Sequence, residues 1–115
     1  MSTFTMSLKN KYFDLISRGL KTYELRLYDD KRKNVRPGDK IEFFTATTRS
    51  RRDSITVTVQ EVIRGKSFRE LFEKIPVKEC GFSTVDEAVR IMQTIYSLES
   101  QGKIGVVAFK IQKDE

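Results

Sequence analysis

The chain has 115 residues, of which 38% are hydrophobic and 33% are charged, and its formal net charge is +6. It contains one cysteine, Cys80, and no histidine, which excludes an internal disulfide, a zinc site of the usual kind, and Ser–His–Asp or Cys–His catalysis. This length and composition predict a single domain over residues 1–115 that binds neither a metal nor another cofactor.

The N-terminal segment and the apolar runs indicate the compartment. Residues 1–13, MSTFTMSLKNKYF, show no basic stretch followed by an apolar core, and no apolar run approaches the length of a membrane span. A lone cysteine is typical of a reducing compartment. We therefore expect a cytoplasmic protein without a membrane partner, and the sequence does not indicate its oligomeric state.

Positive charge is concentrated in the first part of the chain. Residues 1–66 carry 15 Lys/Arg and 8 Asp/Glu, whereas residues 67–115 carry 7 Lys/Arg and 8 Asp/Glu. A basic surface on one side favours a partner that bears phosphate groups. The alternative is that the charge serves solubility alone.

Hydrophobic periodicity predicts the elements of the first half. In chain order they are a strand over 4–8, a helix over 9–18, a strand over 22–28, a charged loop or helical turn over 29–36, a strand over 41–46 and a polar loop over 47–53. Gly19 is a natural end for the helix, and Pro37-Gly38-Asp39 is a turn signal.

The second half continues with a strand and two helices before a last strand. Their predicted ranges are 54–63, 68–74, 83–96 and 104–111. Ser67 and Glu70 form a capping-box pattern, and Ser83 or Thr84 can cap the longer helix. About five strands, joined mainly by short turns and flanked by about three helices, predict an α+β fold built on a small mixed β-barrel.

The most informative stretch is Gly19-Leu20-Lys21-Thr22-Tyr23-Glu24-Leu25-Arg26. Side chains alternate along a strand, so Glu24 and Arg26 share one face while Tyr23, Leu25 and Leu27 occupy the core face. Lys21 precedes the strand and can swing toward Glu24. Arg26 offers a planar fork for phosphate or carboxylate, and Glu24 can orient it or accept a proton. The alternative is an exposed strand face with ion pairs of little energetic value.

Other residues are candidates for nucleic-acid contact. Tyr28 lies on the face of Glu24 and Arg26 and can stack on a base, or it can pack at the edge of the barrel. Two basic loop clusters suit the phosphate backbone, although each can also be a solvated loop. Their candidate residues are Lys31, Arg32, Arg49, Arg51 and Arg52.

The pattern G-x-K-T-x-E-x-R at 19–26, followed by R-P-G-D-K-I-x-F at 36–43, resembles the ASCH domain, which has a PUA-like fold. The resemblance covers nearly the whole chain. It implies a β-barrel with flanking helices and a cleft beside the barrel in which family members are proposed to bind RNA. It also makes Lys21, Glu24 and Arg26 the expected cleft residues.

Two branches of the family imply catalysis as an alternative. One resembles small amidohydrolases that remove the acetyl group from N-acetylcytidine with a Lys, a Thr and a Glu. Lys21 matches their Lys, but Glu24 stands where they have Thr, and Glu79 is the candidate for their Glu. The other branch is a ribonuclease, in which Lys21 and Glu24 would be catalytic and Arg26 would stabilise phosphate. The chain is therefore expected to bind RNA or a nucleotide, to be a small hydrolase, or to be a protein-interaction adaptor with a vestigial cleft.

Overall fold

The computed structural model describes residues 1–46 and 53–114, and its strands form one five-stranded sheet. The strands are β1 (Thr3–Ser7), β2 (Tyr23–Leu27), β3 (Lys40–Phe44), β4 (Ile55–Gly65) and β5 (Val106–Lys113). The helices are α1 (Asn10–Ser17), α2 (Phe68–Leu71), α3 (Val85–Ile95) and α4 (Leu98–Ile104). Short 3-10 helices occupy Arg32–Asn34 and Val77–Cys80.

The strands lie in the order β1-β3-β4-β5-β2. The pair β1–β3 is parallel and the other pairs are antiparallel, so the sheet is mixed. It curls into a half-barrel whose two edge strands are β1 and β2, and α1 connects them along the chain. The prediction of an α+β fold on a small mixed barrel is confirmed.

Strand β5 is covered on both faces, as predicted for a central strand. Val106 and Ala108 belong to one buried cluster, which includes residues of α2 and α3. Val107 and Phe109 belong to a second cluster on the opposite face, with residues of β1, β3 and α1. Each of these four side chains is fully buried. The sheet therefore separates two apolar layers.

The predicted caps are present at two helices. The Ser67 hydroxyl accepts a hydrogen bond from the Glu70 N–H at 3.1 Å, and Thr84 does the same for Glu87 at 3.1 Å. These bonds satisfy N–H groups that have no partner within the first turn. Among the helices of residues 1–46 and 53–114, none combines the length and the apolar character that crossing a membrane requires.

Helix α4 was not predicted, so the expectation of about three helices was too low. Its sequence, LESQGKI, contains Gly102, which lowers intrinsic helix propensity. The structure compensates with Ser97, whose hydroxyl accepts from the Ser100 N–H, and with the buried side chain of Gln101. Tertiary contacts decide the conformation of this segment.

Candidate functional site

A cleft of about 180 Å³ lies beside the edge strand β2. Residues at the end of β1 and the start of α1 form one side of it, and the end of α3 forms the other. Its lining residues are Ser7, Leu8, Lys9, Tyr12, Lys21, Glu24, Leu25, Arg26, Phe82, Met92, Ile95 and Tyr96. The cleft thus lies where the half-barrel is open, between its two edge strands.

Three charged side chains meet in this cleft. Lys21 Nζ lies 3.4 Å from Glu24 Oε1, and Arg26 Nη2 lies 2.8 Å from Glu24 Oε2. The side chains of Lys21 and Glu24 are 3% and 6% exposed, and that of Arg26 is 13% exposed. The predicted grouping of these three residues is therefore present, and it is buried rather than lying on a solvated strand face.

Lys21 is fixed by the backbone around it. Its ammonium group donates to Tyr23 O at 2.6 Å and to Cys80 O at 2.7 Å, besides pairing with Glu24. An ammonium group has three N–H donors, and Lys21 faces three acceptors. Gly81 shapes this turn with a φ of +98°, and a Cβ there would lie 3.3 Å from the Tyr12 ring and 3.5 Å from Lys21 Cδ. The contacts of Lys21 thus hold Glu24 in place.

Arg26 joins the two edge strands. Its Nε donates to Glu24 Oε2 at 2.9 Å and its Nη2 donates to Ser7 O at 2.6 Å, across the opening between β2 and β1. Burial lowers the pKa of Arg26, but interactions with Glu24 and Tyr96 outweigh this effect and raise it above its ordinary value. Arg26 is therefore a fixed cation at the wall of the cleft.

The cleft lining carries three cations, Lys9, Lys21 and Arg26, against the single carboxylate of Glu24, and it has aromatic walls. Two cations, Lys21 and Arg26, share the single carboxylate of Glu24. The rings of Tyr12 and Phe82 pack edge to face, with centroids 5.8 Å apart, and Lys21 Nζ lies 5.5 Å from the Tyr12 centroid. Burial, followed by the charge of Glu24, raises the pKa of the Tyr12 phenol. This arrangement suits a planar ligand that carries hydrogen-bond acceptors.

Tyr96 reaches the cleft from the end of α3, although its position in the apolar stripe of that helix favours a core residue. The backbone leaves the helix at Tyr96 with φ −130° and ψ 123°. Gln101 Nε2 donates to Tyr96 O at 3.1 Å, while Gln101 Oε1 accepts from the Phe68 N–H at 3.2 Å. The rings of Phe68 and Tyr96 are 5.8 Å apart. Helix periodicity does not reveal this change of direction.

Tyr28 is not among the lining residues of the cleft. Its ring contacts the guanidinium of Arg64, whose Cζ lies 4.0 Å from the ring centroid. Lys33 Nζ lies 6.0 Å from the same centroid. Tyr28 follows Glu24 and Arg26 at every second residue, but it lies beyond the end of β2. There its neighbour is Arg64 of β4.

Glu79, the candidate for a second carboxylate, also lies outside this cleft. Its Oε1 accepts a hydrogen bond from Thr22 Oγ1 at 2.8 Å, and its carbonyl accepts from the Thr22 N–H at 2.8 Å. These bonds attach the 3-10 helix Val77–Cys80 to the start of β2. Glu79 therefore helps to place Cys80 O opposite Lys21.

The predicted basic loop at Lys31 and Arg32 is separate from the cleft lining. Arg32 donates to Asp29 Oδ2 at 3.0 Å, and this neighbour offsets its charge. Lys31 is exposed. Arg49, Arg51 and Arg52 lie outside the described residues. No group of three or more His, Cys, Asp or Glu side chains in the described ranges is placed to hold a metal ion.

The comparisons with known proteins agree with this fold. The family described as "ASCH domain" matches residues 6–115. No curated protein matches the chain. The chain is 32% identical to hypothetical protein PH0355, with a TM-score of 0.84 over 99% of this chain and 100% of that one. It is 31% identical to protein PF0455 from Pyrococcus furiosus, with a TM-score of 0.75 over 100% and 99%.

A more distant likeness shows the same fold. The S128A mutant of ZmASCH from Zymomonas mobilis is 16% identical, with a TM-score of 0.68 over 94% of this chain and 66% of that one. The family match covers the cleft lining and every described helix and strand except the first three residues of β1. The chain belongs to the ASCH domain family.

Proposed function

We propose that the chain binds RNA or a nucleotide and holds one base in the cleft at Lys21, Glu24 and Arg26. The observation that carries this proposal is the buried arrangement in which Glu24 contacts both cations inside an aromatic-lined cleft. A ligand that enters meets the guanidinium of Arg26 and the rings of Tyr12 and Tyr96. Bases of single-stranded RNA are commonly bound by such a combination of aromatic stacking and hydrogen bonding.

The size of the cleft supports a single base as the occupant. Sites for drug-sized ligands measure about 300–1,000 Å³, whereas this cleft measures about 180 Å³. The ribose and the phosphates would remain at its mouth. Lys9 lines the cleft and is exposed, so it is placed to contact a phosphate there.

The test is a binding titration with a short single-stranded RNA over a range of salt concentrations. We expect binding that weakens as salt rises, with a slope of about 0.7 for each phosphate contacted. Arg26→Ala should weaken binding at least about tenfold, because hydrogen bonds to charged groups contribute roughly 1.5–3 kcal/mol. Arg69→Ala is the matched control, since Arg69 is 58% exposed and pairs with Asp86 on another surface.

Equal losses in the two variants would contradict the cleft as the binding site. If the wild-type protein does not bind RNA even at low salt, the binding function itself is wrong and the adaptor alternative is favoured.

A hydrolase is the second candidate function. It is favoured by the position of Glu24, a carboxylate in the wall of the cleft whose oxygens retain lone pairs beyond those that Lys21 and Arg26 occupy. Glu24 would accept a proton from water and Arg26 would stabilise the developing negative charge. Turnover of N-acetylcytidine or RNA that disappears in Glu24→Gln, while circular dichroism shows that the variant remains folded, would support this candidate. Binding without turnover would exclude it for these substrates.

A further inference from the structure

The backbone of β2 has one side bonded to β5 and one side facing away from it. The Ile111 N–H donates to Thr22 O at 2.9 Å and the Tyr28 N–H donates to Gly105 O at 3.0 Å. In an antiparallel pair, bonded residues alternate with residues whose N–H and C=O point outward. In the register of this pair, Glu24 and Arg26 are bonded to β5, whereas the backbone groups of Tyr23, Leu25 and Leu27 point to the free edge.

The outward groups of Tyr23 and Leu25 differ in their partners. Tyr23 O accepts from Lys21 Nζ, which covers that end of the edge. The N–H and C=O of Leu25 have no hydrogen-bond partner in the described part of the chain. Leu25 is 5% exposed and lines the cleft. Well over 90% of buried backbone polar groups in folded proteins are paired with protein groups or with water, so these two groups are available to a water molecule or to a ligand in the cleft.

An added peptide strand does not fit this free edge. Lys21 and the 3-10 helix Val77–Cys80 close its Tyr23 end through the bonds to Cys80 O and Glu79 O. The cleft at Leu25 has a volume of only about 180 Å³. A compact planar group that carries a donor beside an acceptor fits these dimensions, and an extended chain does not.

We propose that the N–H and C=O of Leu25 read the donor–acceptor edge of one nucleobase. This inference rests on the proposed function and names the part of the ligand that the cleft recognises. The base would donate from a ring N–H or an amino group to Leu25 O, and its neighbouring ring nitrogen or carbonyl would accept from the Leu25 N–H. Unpaired bases present such edges. Recognition through the backbone makes the base edge, rather than a phosphate, the specific ligand.

The first test compares nucleoside 5′-monophosphates that have an intact or a blocked edge. The intact probes are the 5′-monophosphates of uridine, guanosine, adenosine and cytidine. The blocked probes are the 5′-monophosphates of 3-methyluridine, of 1-methylguanosine, and of adenosine and cytidine with two methyl groups on the amino nitrogen. All blocked forms remain neutral in the base. We expect the intact monophosphate that binds best to lose at least about tenfold in affinity when its base edge is blocked. A pair of hydrogen bonds to a base edge contributes roughly 1–3 kcal/mol of discrimination against the wrong base.

The second test measures amide hydrogen exchange residue by residue, with and without the best-bound parent. The Leu25 N–H should exchange fast in the free protein and slowly in the complex. The Glu24 N–H is bonded to β5 and should change little. The Leu27 N–H is on the same free edge but outside the cleft lining, and it should remain fast.

Two results would overturn the inference while leaving the proposed function intact. In the first, RNA binding depends on Arg26, but the blocked and intact monophosphates bind equally well or none of the monophosphates binds. In the second, the bound monophosphate does not slow hydrogen exchange at the Leu25 N–H. If the protein binds neither RNA nor any monophosphate, the proposed function fails and this inference fails with it.

Discussion

Lys21 Nζ and Glu24 Oε1 lie 3.4 Å apart, with the two side chains 3% and 6% exposed. Ion pairs with so little solvent are costly to desolvate, and their attraction offsets that cost only when the remaining polar atoms are also bonded. Here two backbone carbonyls bond Lys21 and a guanidinium bonds Glu24. The fold therefore uses a network of charged groups and backbone carbonyls to hold one carboxylate at the wall of the cleft.

Replacing Lys21 by Met should destabilise the protein strongly. The substitution leaves Tyr23 O and Cys80 O without their donor and removes one of the two cations beside Glu24. Breaking a buried pair typically costs about 3–5 kcal/mol, and denaturant unfolding measures this loss. Lys113→Met is the control, because Lys113 is exposed and its ammonium group donates to one carbonyl, Ser17 O, among the described residues. Losses of similar size in the two variants would show that the Lys21 contacts contribute little to folding.

Replacing Tyr96 by Phe should weaken RNA binding without unfolding the protein. The substitution removes only the phenol oxygen of a residue that lines the cleft. One neutral hydrogen bond contributes about 0.5–1.5 kcal/mol, so we expect a loss of affinity of about two- to tenfold. Tyr28→Phe is the matched control, since Tyr28 is outside the cleft lining. A larger loss for Tyr28→Phe than for Tyr96→Phe would place the ligand elsewhere.

Asp39 should make stability depend on pH in acid. Hydrogen bonds from the Ser2 and Arg36 N–H groups, both 2.9 Å long, lower the pKa of its carboxyl. In the unfolded chain the pKa of this carboxyl is about 3.9, so near and below that pH the unfolded chain binds more protons at Asp39 than the folded protein does. The stabilisation is therefore complete above that pH and is lost as pH falls through the lowered pKa of the folded protein.

Urea unfolding of the wild-type protein and Asp39→Asn between about pH 5 and pH 2 measures this effect. The difference in the free energy of unfolding between the two proteins should be largest at the upper end of this range and should shrink toward the lower end. A difference that stays constant would show that ionisation of Asp39 does not contribute.

Cys80 should be unreactive in the folded protein. Its side chain is fully buried, and burial raises the pKa of the thiol to about 12, so the reactive thiolate is scarce at neutral pH. A thiol reagent at about pH 8 should modify the native protein far more slowly than the denatured protein. Ser83→Cys adds an exposed thiol nearby and should react at once. Fast modification of native wild-type protein would show that Cys80 is accessible.

Much of the fold can be predicted from the sequence because its patterns are local. The alternation along β2 and the apolar run at Val106 and Val107 correctly predict a strand and a central strand. Ser67 and Thr84 correctly predict two helix starts. Helix α4 is the exception, since Gly102 weakens its propensity and the Gln101 contacts that stabilise it are distant in sequence.

The site is predicted only in part, because some of its residues are brought together by contacts between distant parts of the sequence. Lys21, Glu24 and Arg26 are close in sequence, and their grouping follows from strand geometry. Tyr12 lies in α1 and Tyr96 follows the end of α3, on opposite sides of the cleft, and no local pattern brings them together. The free backbone edge of Leu25 depends on the order of strands in the sheet, which local alternation does not specify.

The most direct measurement is a map of backbone amide chemical shifts during titration with a short single-stranded RNA. We expect the largest changes at the cleft, in residues 7–9 and 24–26 and at Phe82 and Tyr96, and we expect Arg26→Ala to need at least about tenfold more RNA to reach the same changes. Changes concentrated instead around Gln60 and Gln112, on the exposed face of β4 and β5, would contradict this expectation.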